Sequence, residues 1–172
     1  LDVEHYTEAL SQLSGEGALV VDLVLPDFDS EGFSQLLGAE MVRDLALYLD
    51  AYAAEPVVID SVAALQRFNS QSAELRAPYG QALVDMMIEL ELDASALEDL
   101  RADLQTRARQ LLDQLFSDNN LDVLLSINNR NAGLAALANY PALTIPMGYE
   151  DDGRPIGLTL IAPGFAEQTL ID

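Results

Sequence analysis

Two apolar runs, residues 142–147 and 156–161, stand on either side of Asp152-Gly153. Aspartate followed by glycine tolerates the positive φ angles of a tight reversal, so this stretch predicts an antiparallel hairpin. Pro141 and Pro146 are expected to fix the chain where it enters and leaves the first strand, and Gly148 permits a bend. A shorter strand is expected at residues 123–125, then a small-residue helix over 131–138 that ends before Pro141. A hairpin of this kind needs a layer to cover it. The segments before it have helical spacing, and alternation of the two types gives an α/β class.

Those helical segments can be placed one by one. Tyr6, Ala9, Leu10 and Leu13 recur at three and four, and Gly15-Glu16-Gly17 stops that helix. Residues 18–25 (ALVVDLVL) are apolar on both faces and closed by Pro26, which predicts a strand buried between layers. Phe33, Leu37, Met41, Leu45, Tyr48 and Tyr52 mark one face of a long helix, ended by Glu55-Pro56. Ser61 is a cap for a short helix reaching Phe68, and Tyr79-Gly80-Gln81 opens another apolar run to Leu92. Ser95 and Glu98 have the spacing of a capping box. Behind them Leu97, Leu100, Leu104, Ala108, Leu111 and Leu115 form a stripe, read as a packed face rather than a dimer zipper. Asp99 and Asp103 come early and Arg107 and Arg109 late, in keeping with the helix dipole, and residues 117–120 break the helix.

Composition removes several chemistries. The 172 residues hold 29 acids and 8 basic residues, all arginine, for a formal charge of −21. A chain so acidic is repelled by phosphate backbones and anionic lipid, so neither nucleic acid nor a membrane is expected as a partner. Acidic, lysine-free surfaces suit saline media, where screening relieves their self-repulsion. With no cysteine and the single His5, disulfides, thiol nucleophiles and a histidine-based triad find no material. Residues 131–149 carry no charge, yet two prolines, two glycines and two asparagines make them buried structure rather than a membrane span.

The remaining motifs are weak. Asp27, Asp29, Glu31 and Gly32 imitate half a calcium loop, but its twelfth position is Gly38 where a bidentate glutamate belongs. A solvated turn is the better reading. Gly15-Glu16-Gly17 precedes a strand candidate and lacks a third glycine, so it is a connector and not a dinucleotide loop. His5 has no second histidine with which to share a metal and reads as a surface residue. No cofactor is expected.

Residues 139–171, NYPALTIPMGYEDDGRPIGLTLIAPGFAEQTLI, resemble the C-terminal part of the amidase signature family. The resemblance continues upstream in MVRDLALYL at 41–49, VAALQRFN at 62–69 and Tyr79-Gly80-Gln81, in the family's order. It implies the C-terminal part of that fold, a mixed sheet with helices packed on both faces, forming one partial domain. It also implies hydrolysis of a small amide by a nucleophilic serine, a second serine on a cis peptide and a lysine, through an acyl-enzyme. The family's Gly/Ser-rich stretch is missing here and so is every lysine. The chain is therefore expected to contain none of the catalytic residues. Its partner would be the upstream catalytic portion of the same polypeptide, and the separate piece would tend to self-associate. An amidotransferase subunit, or an interaction domain that kept the fold and lost the site, are the alternatives.

Where many family members have proline and threonine after the short strand, this chain has Ser126-Ile127-Asn128-Asn129. The resemblance places that segment near the substrate pocket. Ile127, Asn128, Asn129 and Asn131 are thus candidate substrate-binding residues, since amides both donate and accept. The plainer reading, that these asparagines shape a turn, is preferred.

Overall fold

The computed structural model describes residues 2–54, 57, 59–91 and 93–171. The chain divides into two units, one built from residues up to Asp29 and from Leu104 onward, the other from Ser30–Asp103.

In the first unit, α1 (Asp2–Gly15) precedes an irregular stretch. The C-terminal half of α6 (Ala94–Asn119) leads into β1 (Leu124–Ile127), α7 (Ala132–Ala138), β2 (Ala142–Tyr149) and β3 (Pro155–Ile161). The three strands form an antiparallel sheet in the order β1-β3-β2. The expected hairpin is present, and the central strand is buried on both faces: Ile156 and Leu158 on one, Thr159 and Ile161 on the other. Of the expected α6 stripe, Leu104, Ala108 and Leu115 are buried in this unit and Leu111 is half-buried, with neighbouring Leu112 fully buried instead, so the stripe is a packed face shifted by one residue at that turn. The helix ends where Asn120 turns left-handed at φ 50°. Its neighbour Leu121 donates to Phe116 O and Asn120 to Ser117 O, closing the last turn.

Three expectations for this unit are corrected. Residues 18–25 form no strand, and Leu19 and Val24 are exposed. Apolar, β-branched residues favour extended backbone, but a strand exists only when a neighbour completes its ladder, and among the described residues none pairs here. Pro146 does not end β2: the strand continues to Tyr149 through a bulge between Pro146 and Gly148. Arg107 and Arg109 lie well before the last turn of α6 and serve other groups; Arg107 donates to Asp29 O at 2.6 Å and Arg109 to Ala138 O at 2.8 Å.

The second unit is helical. It contains α2 (Phe33–Tyr52), α3 (Val62–Ser70), α4 (Ala73–Arg76), α5 (Ala82–Glu89) and the first turns of α6. Ser61 caps α3 as expected, its hydroxyl accepting from Ala64 N at 3.1 Å. The capping box at Ser95 is replaced by Asp93, whose carboxylate accepts from Ala96 N at 2.8 Å. Asp93 precedes the first helical residue, so its carboxylate meets the open N–H groups, whereas Ser95 already lies inside α6. Glu98 pairs instead with Arg101, which also holds Glu40 of α2. Leu36, Val62 and Leu97 are buried, and a Cβ on Gly38 would stand 2.6 Å from Leu90. The expected stripe of α2 behaves differently: Leu37, Met41, Tyr48 and Tyr52 are exposed. The expected stop at Glu55-Pro56, and Leu92, lie outside the described residues. No helix among those described is long and apolar enough to cross a membrane.

Candidate functional site

Of the four candidate residues, Ile127 ends β1, and Asn128, Asn129 and Asn131 fall on the turn that joins β1 to α7. Asn128 and Asn131 both adopt left-handed backbone, at φ 54° and 65°, which asparagine accepts more readily than most residues. This is the turn-shaping role favoured from sequence. Asn128 also stitches the turn to β3: its N–H donates to Gly157 O at 2.7 Å, and Gly157 N–H donates to its Oδ1 at 2.9 Å. Ala132 and Ala135 then donate to Asn129 O and Asn131 O, starting α7. Ile127 points into the core, Asn128 and Asn131 are half-buried, and Asn129 is exposed.

Residues not singled out from sequence complete the turn. Ser126 Oγ donates to Arg130 O at 2.6 Å. Thr159 Oγ1 donates to Asn128 O and shares a 2.7 Å hydrogen bond with Thr144 Oγ1. A Cβ on Gly157 would meet Thr144 Cγ2 at 2.6 Å, so that glycine leaves room for the threonine. The available signal was polar residues at buried positions of apolar strands, Ser126 and Thr159.

The far end of α7 is held just as firmly. Asn139 is left-handed at φ 56°, and Tyr140 N donates to Ala135 O at 2.9 Å. Tyr140 donates its hydroxyl to Asp113 of α6, and burial together with that carboxylate pushes its pKa up to about 12. Its ring lies 6.5 Å from that of Phe116. Tyr6 of α1, whose hydroxyl donates to Leu125 O, has its pKa raised by burial and by nearby Asp22. At the hairpin tip, Arg154 hydrogen-bonds Asp152 and holds its carboxyl below the usual range.

A separate cleft of about 380 Å³ lies between α1 and the β2–β3 hairpin, lined by Ile145, Met147 and Leu158 from the hairpin and by Glu8 and Gln12 from α1. His5 lines it and packs on Gly148, where a Cβ would come within 3.2 Å of the imidazole. The candidate residues of the turn are not part of it. Among the described residues no group of three acidic, histidine or cysteine side chains could hold a metal ion.

The asparagine turn can therefore offer amide groups to a polar ligand, with the exposed Arg130 beside them.

No family model matches the sequence. The chain is 25% identical over 99% of its length to a probable amidase of Arabidopsis thaliana, covering 34% of that protein. It is 26% identical, again over 99%, to one subunit of the glutamyl-tRNA(Gln) amidotransferase of Halobacterium salinarum, covering 45% of it. The structure superposes on an amidase family protein from Bacillus anthracis with a TM-score of 0.82 at 26% identity, over 97% of this chain and 33% of that one. The chain thus spans about a third to somewhat under half the length of these relatives. From end to end, through both units, the chain is similar in sequence and fold to proteins named as amidases and to an amidotransferase subunit.

Proposed function

We propose that this chain is the C-terminal portion of an amidohydrolase that cleaves a carboxamide C–N bond, with the Ser–cisSer–Lys centre in an upstream part of the same polypeptide. The observation that carries the reading is the match over nearly the whole chain to about a third of an amidase. The 172 residues contain no lysine, so the proton-handling amine of such a centre has to come from elsewhere. In the reaction the serine oxygen attacks the amide carbon, the nitrogen leaves as ammonia or an amine, and water then hydrolyses the acyl-enzyme.

This chain's part is recognition. The exposed Asn129 and half-exposed Asn131 present amides that donate and accept, the pairing an uncharged carboxamide needs. Asn128 has its Oδ1 committed to Gly157, and Ile127 supports the turn from the core. Both contribute by shaping the subsite.

The test compares the complete polypeptide with the 172 residues alone, measuring ammonia released from simple primary amides. Turnover by the first and none by the second is expected. Turnover by the 172 residues that disappears when one of their serines is changed would overturn this placement of the centre. The likeness to an amidotransferase component supports a second reading, in which the ammonia passes to an acceptor. Free ammonia formed without any acceptor distinguishes the hydrolase.

A further inference from the structure

Among the described residues, the buried polar side chains are Ser126 and Thr159. They are register partners across β1 and β3, and Thr144 of β2 continues the same row beyond Thr159. One line of hydroxyls therefore crosses the sheet, between neighbours that are almost all apolar. A buried hydroxyl is costly unless it is hydrogen-bonded, and an alanine or valine would fill either place without that demand.

Where the hydroxyls are directed is the telling observation. Ser126 donates to the carbonyl of Arg130, and Thr159, joined to Thr144, donates to the carbonyl of Asn128. Those are the carbonyls of the two residues on either side of Asn129. Two separate strands thus hold one exposed asparagine by its two neighbours, in a turn whose left-handed residues persist where the surroundings over-determine them.

We propose that Ser126 and Thr159 are positioning residues. Neither touches substrate; together they hold the residues on either side of Asn129, so that its carboxamide meets the ligand without first being ordered. Binding by a group already held in place avoids the entropy of ordering it, so the hydroxyl row acts on substrate affinity rather than on the chemical step. This inference rests on the amidase reading above.

The experiment uses the complete polypeptide with the variants Thr159→Val, Ser126→Ala, Thr159→Ser and Asn129→Ala, and the double variant Thr159→Val/Asn129→Ala. Thr159→Val and Ser126→Ala should each raise KM about tenfold and leave kcat within about twofold, the size expected for one lost hydrogen bond. Thr159→Ser, which keeps the hydroxyl, should restore KM. The double variant should have the KM of Asn129→Ala alone, because both changes act through one side chain. A fall in kcat at unchanged KM, no change, or multiplied effects in the double variant would overturn the inference. Hydrogen exchange supplies a readout independent of turnover. The N–H groups of Asn128 and Arg130 should exchange about tenfold faster in Thr159→Val and Ser126→Ala while the melting temperature stays within a few degrees. Unchanged exchange overturns the inference even in an active enzyme. A wild-type polypeptide with no turnover overturns the functional reading and the substrate half of the inference, and exchange then decides the anchoring.

Discussion

The unit that carries the sheet and the helical unit place their apolar residues differently. In the first, α6 and β3 bury Leu104, Leu112, Ile156 and Ile161 almost completely. In the second, α2 has an equally regular stripe, yet Leu37 is 50% exposed, Met41 40%, Tyr48 62% and Tyr52 76%. Both helices read alike as patterns. Periodicity reports that a helix has an apolar face; whether that face is covered depends on residues far away in the chain. The candidate turn lies beside the buried residues of β3, Ile156, Leu158, Thr159 and Ile161.

The largest effect that could break this comparison is a core truncation. Leu112→Ala removes a fully buried side chain and should cost about 3 kcal/mol, against no more than about 0.5 kcal/mol for Tyr52→Ala on the exposed face. Urea unfolding of the two variants measures both; equal losses would mean that the α2 stripe is covered after all. A smaller change sharpens the contrast at the start of α6. Asp93→Ala should cost about 1 kcal/mol and Ser95→Ala a few tenths, because the aspartate accepts the open N–H of Ala96. The reverse order in thermal melts would restore the capping box read from sequence.

The smallest effect appears only in alkali. Tyr140 is raised from its ordinary value near 10 to about 12 in the folded state, so folding favours its protonated form. The sign follows from linkage: the contribution is fully present below pH 10 and is lost as pH rises through about 12. Melting temperature should therefore fall across that window, and Tyr140→Phe should lessen the fall. An unaltered pH profile in Tyr140→Phe would place the alkaline transition elsewhere.

What could be read from the sequence was local. The Asp152-Gly153 reversal and the Ser61 cap each depend on residues within a few positions of one another. Residues 18–25 and the α2 stripe depended on distant partners, and there the pattern alone was insufficient. The candidate site divides in the same way. The asparagines after β1 stand out as a cluster in the sequence, whereas Ser126 and Thr159 are 33 positions apart and meet through strand register. Nothing in the sequence near Ser126 announces a partner in β3.

The bulge in β2 has a bearing on how copies of this molecule behave when crowded. Ala162 N donates to Pro141 O, which sets the alternation along the hairpin. Leu143 and Ile145 accordingly direct their backbone groups to β3, while Ala142, Thr144 and Pro146 direct theirs outward. Proline has no N–H to offer, and just beyond it the bulge shifts the register. A strand from another molecule docking on that edge would find two outward donors, at Ala142 and Thr144, and then a gap. Fibril growth by lateral strand addition needs a longer uninterrupted template than that. The same proline that interrupts a sequence reading of the strand thus protects its outer margin from becoming a seed.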